Sequence, residues 1–221
     1  MTPSVWEEAD GAGISATINK IAGTSAGPTI EIKPTEMVPA GLDVRVAWSP
    51  DSDGGNTNDK TAGGSSGALA SGWDLTVEAG SDLTGVDGLT IYAGMSEVEQ
   101  YQNSGSHSGD VEETVMGVKY AAGGFSFGYQ ITDEDTGLTT TTGYENTSYS
   151  VTFNVNDDLS IGYNHTESDE SGQSKDTAEA DSIQAAYTMG GATFSIAEVS
   201  IDNRGYSSGA AADVDGTVLY L

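Results

Sequence analysis

The second half of this chain keeps a fixed rhythm: short runs of period-two alternation, joined by connections that are very short and very long in turn. Gly117 to Gly128 reads GVKYAAGGFSFG, two alternating runs hinged on Ala122-Gly123-Gly124. Ser148 to His165 repeats the arrangement around Asn156-Asp157-Asp158, and Asp181 to Ile196 repeats it around Met189-Gly190-Gly191. Polar, acid-rich stretches separate these hairpins, Asp133 to Asn146 and Glu167 to Glu179 among them. Strands of about ten residues, with tight turns at one end and long loops at the other, are the pattern of a membrane-spanning β-barrel.

The same period runs back to Pro28. Ile30 and Ile32 alternate with Glu31 and Lys33, and Leu42, Val44, Val46 and Trp48 alternate with Asp43, Arg45, Ala47 and Ser49. Trp73, Leu75, Val77 and Ala79 share a face, as do Leu89, Ile91, Ala93 and Met95. Polar loops are expected over Pro50 to Ser71, Val98 to Glu112 and Asn203 to Asp215. The alternation slips after Ile196, where Val199 and Ile201 fall out of phase, which predicts a β-bulge near Ala197-Glu198. About eleven strands result, an all-β antiparallel architecture over 28–221, with 1–27 the least regular part. A soluble β-sandwich also alternates, but two features favour the barrel. Connection length alternates strictly, and the aromatics Tyr120, Phe125, Phe127, Tyr187 and Phe194 gather beside the tight turns, where membrane barrels carry a girdle.

Composition removes several functions. The chain has 34 acidic and 7 basic residues, a formal net charge of −27, and no cysteine. Nucleic acid is excluded as a partner, since phosphate binding needs clustered Lys and Arg. Disulfides, thiolate metal sites and cysteine nucleophiles are excluded as well. No run of eighteen apolar residues exists for a membrane helix. The mean hydropathy of −0.30 is compatible with barrel strands, whose two faces average out. The first residues show no basic region followed by an apolar one, so no export signal is visible in this sequence.

Chemistry is sparse. Asp51, Asp53 and Asp59 lie in a Gly/Asn-rich stretch resembling a calcium loop, because hard cations want several oxygen ligands. The EF-hand pattern needs Gly at its sixth position and a carboxylate at its twelfth, where this chain has Asn56 and Ala62. A flexible acidic loop with weak calcium binding at most is expected, and no other cofactor. His107 and His165 are the only histidines, and no GxSxG or comparable signature accompanies them. No catalytic set and no enzyme activity are expected. Asn146-Thr147-Ser148 and Asn164-His165-Thr166 match the glycosylation sequon by chance.

The hairpin sequences Gly117 to Tyr129, Leu159-Ser160-Ile161-Gly162-Tyr163, Ala185 to Ala192 and the closing Thr217-Val218-Leu219-Tyr220-Leu221 resemble the trimeric general porins of Gram-negative outer membranes, particularly the alphaproteobacterial type. The resemblance covers most of the chain after Pro28. It implies sixteen strands, of which these would be the last eleven, a homotrimer in the outer membrane, and a channel for passive diffusion of ions and small hydrophilic solutes. It also places 1–27 where such porins fold a loop inward to narrow the pore. Glu7, Glu8 and Asp10 would then face Lys33 and Arg45 across a constriction. By alternation the pore wall includes Glu31, Lys33, Asp43, Arg45, Asp74, Glu78 and Lys119, and the acidic excess implies cation preference. The rival readings are a secreted or surface β-rich binding module and an outer-membrane enzyme.

Overall fold

The computed structural model describes residues 21, 23–24, 28–52, 69–100, 106–140, 143–171 and 175–220. They form one antiparallel sheet in which every strand pairs with its sequence neighbour. Its strands are β1 (Ile30–Ile32), β2 (Leu42–Ser49), β3 (Leu69–Ala79), β4 (Leu89–Gln100), β5 (Val111–Ala122) and β6 (Phe125–Asp135). They continue with β7 (Gly143–Asn154), β8 (Leu159–Ser171), β9 (Ala178–Met189), β10 (Ala192–Asp202) and β11 (Val214–Tyr220). A single helical turn, α1 (Ser81–Thr84), sits between β3 and β4. The edge strands β1 and β11 do not pair with each other, so the described sheet is open.

The short connections all lie at one end. Only Gly123-Gly124 links β5 to β6, and only Gly190-Gly191 links β9 to β10. Neighbouring turns are stitched together at this end. The Ala121 amide donates to the Gly88 carbonyl at 3.0 Å, the Asn154 amide to Gly124 at 2.8 Å, and the Thr188 amide to Asp158 at 2.8 Å. Gly88 holds φ +76°, and a Cβ there would lie 1.9 Å from the Ala121 carbonyl oxygen. Gly88→Val therefore combines left-handed backbone strain with a clash against main chain. It is expected to cost about 2–3 kcal/mol or more, read as a lower urea midpoint for the folded protein in detergent. An unchanged midpoint would refute the stitching.

The faces differ sharply. Register places Phe125, Phe127, Tyr129 and Ile131 of β6 on the same face as Ala122, Tyr120, Val118 and Met116 of β5. Phe153, Val151 and Tyr149 of β7 share that face, followed by Ile161 and Tyr163 of β8, and Ala185 and Ile183 of β9. These apolar side chains are exposed or half-buried, Ile183 being 66% exposed, while Gln184 beside it on the opposite face is 1% exposed. Side chains splay on a convex surface and crowd on a concave one, so the sheet curls with its polar face inside. On β6 the apolar stretch from Phe125 to Ile131 covers about 20 Å of extended chain. Exposed Met37, Leu83, Val86 and Val155 carry apolar surface onto the short turns.

Two expectations are corrected. The register of β10 is continuous with both β9 and β11, so there is no bulge at Ala197-Glu198. The phase slip is instead a reversal of polarity. Phe194 and Ile196 point outward near the turn, and above them Val199 and Ile201 point inward and are buried while Glu198 points outward. The flanks of the acidic stretches are also strand rather than loop, with 136–140 and 175–177 among the described residues left as connection. Glu97 of β4 faces Glu112 of β5, and Glu112 faces Asp135 of β6. Asp133 faces Glu145, and Glu145 faces Asp169. Glu167 and Asp202 both face Glu179. These opposed carboxylates form a convex crown above the apolar band, each pair costing roughly 0.2–1 kcal/mol in repulsion.

Candidate functional site

The concave face changes character from β1 to β11. Its first sector is charged because β1 to β5 alternate ionic residues with the outward apolar ones. Lys33 donates to Asp43 at 2.5 Å, and Arg45 reaches the same carboxylate at 3.3 Å. Lys119 lies 3.5 Å from Glu78 and 5.3 Å over the ring of Tyr92, whose hydroxyl donates to Gln130 at 2.8 Å. Glu31 pairs in register with Ala47, and Ala47 with Asp74, so both carboxylates share this face. The sequence-derived set Glu31, Lys33, Asp43, Arg45, Asp74, Glu78 and Lys119 thus occupies one wall. Glu7, Glu8 and Asp10, and the calcium candidates Asp53 and Asp59, lie outside the described residues. Asp51 follows the end of β2, where its carbonyl accepts from the Ser49 hydroxyl.

Part of the chain crosses this wall. The Thr24 amide and hydroxyl donate to Asp74, at 3.1 and 2.5 Å, and the Gly23 amide donates to Glu113 at 2.7 Å. Ser96 donates to the same Glu113 oxygen at 2.7 Å. Thr24 is 2% exposed. Gly23 holds φ +62°, and a Cβ there would stand 2.7 Å from Asp74 Oδ1, so the backbone approaches as closely as glycine allows. Gly23 and Thr24 are therefore fastened to the concave face of β3 to β5 by two carboxylates, with Ile21 lying against the same face.

The next sector is mostly neutral, with Glu134 and Glu170 at its long-loop end. Asn146 donates to Thr132 at 2.9 Å, Ser148 and Thr166 share a bond at 3.0 Å, and Gln184 donates to Ser182 at 3.0 Å. The last sector is apolar, with Ala180, Ala197, Val199 and Ile201 packed with Val214 and Val218.

Several wall residues escaped the sequence reading. Glu113, Glu134 and Glu170 belong to this face, as cross-strand pairing of Glu113 with Glu134, Glu134 with Tyr144 and Tyr144 with Glu170 shows. Counting in twos from Met116 places Glu113 inward, once β5 is known to extend that far. His165 stands on the convex face, with Nδ1 at 2.9 Å from Asp181 and Nε2 at 3.2 Å from Glu167. Both ring nitrogens thus meet carboxylates, an arrangement unlike a base poised on a hydroxyl nucleophile.

Comparison with protein-family models finds no match, and comparison with curated protein sequences finds none either. Solved structures do match. The anion-selective porin from Comamonas acidovorans superposes with a TM-score of 0.63 at 12% identity, over 88% of this chain and 55% of its own. Outer-membrane expressed OmpT of Vibrio cholerae gives 0.55 at 14% identity, over 86% and 60%. In-vitro folded OmpT of the same organism gives 0.50 at 15%, over 86% and 59%. The chain therefore spans less than two thirds of each of these structures. At such identities the likeness is one of fold: the eleven strands form an antiparallel sheet of the outer-membrane porin type.

Proposed function

We propose that this chain forms part of a water-filled pore of the bacterial outer membrane, for passive diffusion of ions and small hydrophilic solutes. The observation that carries this reading is the division of the sheet, with a convex apolar band and a concave face whose charged and hydroxyl-bearing sectors belong in water. In the full protein we read further strands pairing with the free edges of β1 and β11, because unpaired edges bearing an apolar face are unstable in lipid. Sixteen strands, a homotrimer and a channel without enzymatic activity follow from the porin resemblance and belong to the same proposal.

Cation preference rests on the wall itself. Glu31, Asp43, Asp74, Glu78, Glu113, Glu134 and Glu170 share a face with Lys33, Arg45 and Lys119, and Lys175 of the β8–β9 connection lies 3.7 Å from Glu170, which leaves the carboxylates in excess. A confined wall of one sign enriches counter-ions, and the effect weakens as salt shortens the Debye length, about 8 Å at physiological strength. The Comamonas porin is described as anion-selective; the opposite sign is expected here. Much of the chain's acidity lies in the convex crown, outside the lumen, so the preference should be moderate rather than absolute. The test is the reversal potential of the reconstituted full-length protein across a potassium chloride gradient. Potassium should pass more readily than chloride, less so at high salt, and a zero or anion-selective potential would overturn the assignment.

A further inference from the structure

We infer that Tyr206 is a positioning residue that fastens the β10–β11 loop across the inner rim of the sheet, so that this loop sets the pore's width at the long-loop end. The inference rests on the pore reading above. Tyr206 is 6% exposed although it belongs to an eleven-residue connection, Asn203 to Asp213, at the end where the connections are long. Its hydroxyl shares a 2.8 Å hydrogen bond with the Ser168 hydroxyl of β8, and its ring lies 5.4 Å from that of Tyr144 on β7. Ser168 and Tyr144 both face the concave side, because their strand neighbours Glu167, Asp169, Gly143 and Glu145 belong to the convex row. The loop leaves β10 and touches β7, three strand spacings or about 14 Å away.

The backbone is bent to allow this. Tyr206 holds φ +58° and Asn203 φ +52°, the two non-glycine residues with positive φ among those described, and Gly205 between them holds +65°. A bulky side chain adopts that conformation only where its surroundings over-determine it. Here they do. The Asn203 amide donates to Asp213 at 3.2 Å, and its side chain donates to the Thr177 carbonyl of the β8–β9 connection at 3.0 Å. The Arg204 amide donates to Ala212 at 3.1 Å, and the Ala212 amide to Gly209 at 2.8 Å. An ordinary surface loop needs neither a strained tyrosine nor a hydrogen bond and a ring contact to strands two and three places away. A fixed rim does.

The test is made on the full-length protein, with Tyr206→Ala, Tyr206→Phe and Ser168→Ala. Neutral polyethylene glycols of graded size report the width, by the largest polymer that still lowers single-channel conductance. Tyr206→Ala should admit larger polymers and raise conductance roughly 1.5-fold, with Tyr206→Phe and Ser168→Ala intermediate because they remove the hydroxyl bond and keep the ring. Amide exchange at Arg204 and Ala212 is a second readout that needs no channel, and it should accelerate in the same order. Unchanged polymer cut-off in Tyr206→Ala, with exchange accelerated, overturns the role in width. Unchanged exchange overturns the fastening itself. Absence of any conductance in the unmodified protein overturns the pore reading instead.

Discussion

Val151→Arg should abolish or severely impair assembly of the full-length protein, while Thr152→Arg one residue later should be tolerated. Val151 is exposed on the convex face, paired in register with Phe127 on one side and Tyr163 on the other. Thr152 points the opposite way and is paired with Ser126 and Gly162. A guanidinium on the lipid face near mid-membrane costs about 2–4 kcal/mol, whereas on a wet lumen wall it costs little. Beside Val151 the acidic crown begins higher, at Asp133 and Glu145. The convex carboxylate at its own level, Glu198, stands three strands away and accepts from the Thr217 hydroxyl at 2.7 Å, and Asp181 lies one step higher, two strands away. Heat-modifiable mobility on gels and resistance to trypsin report assembly. Equal loss from both substitutions would mean that the faces have been exchanged or that neither meets lipid. Phe127, Phe153, Ile161 and Tyr187 make the same prediction against Ser126, Ser160 and Thr188.

What the sequence discloses and what it hides follow from one physical fact: alternation is visible only where the two faces differ. Near the short turns they differ strongly, so Phe125, Phe127 and Ile131 against Ser126, Gly128 and Gln130 give both the strand and its orientation. Towards the long loops both faces are polar. Glu167, Asp169 and Ser171 look outward while Thr166, Ser168 and Glu170 look inward, and with no contrast left these residues read as loop although β8 includes them. The slip in β10 has the same origin. An inward apolar cluster on β9 to β11 reverses the usual contrast, and an inverted pattern of period two resembles a one-residue insertion. Only pairing partners separate the two, and those are non-local. The charged wall of β1 to β5 was legible because Glu31, Lys33, Asp43 and Arg45 alternate with large apolar residues. Its tie to Gly23 and Thr24 was not, because the partners lie 50 residues away for Asp74 and 90 for Glu113.

That tie carries the second large effect. Asp74→Ala should release the chain at Ile21 to Thr24 from the wall, and Asp74→Ala with Glu113→Ala should release it completely. Each carboxylate receives charge-assisted bonds from otherwise buried donors, worth about 1.5–3 kcal/mol apiece where the donors lose their partner. The Thr24 amide and hydroxyl both lose theirs when Asp74 is removed. Asp74→Asn is a milder test, since the amide keeps an oxygen for the Thr24 donors and loses only the charge. Glu78→Ala is the control on the same wall: its carboxylate is 50% exposed and meets Lys119 at 3.5 Å, a pairing worth at most about 1 kcal/mol. Limited proteolysis should therefore find a new cleavage site around Ile21 to Thr24 in Asp74→Ala and not in Glu78→Ala. If the sheet lines a pore, the same variant should also show a noisier open-channel current, because a chain fastened at two carboxylates no longer holds one position across the wall. Equal protease resistance in the two variants would mean that the hydrogen bonds of Thr24 follow the chain's course rather than fix it. Steric fit at Gly23, where even a methyl group would strike Asp74, would then be the stronger constraint, and Gly23→Ala would be the variant that moves the chain.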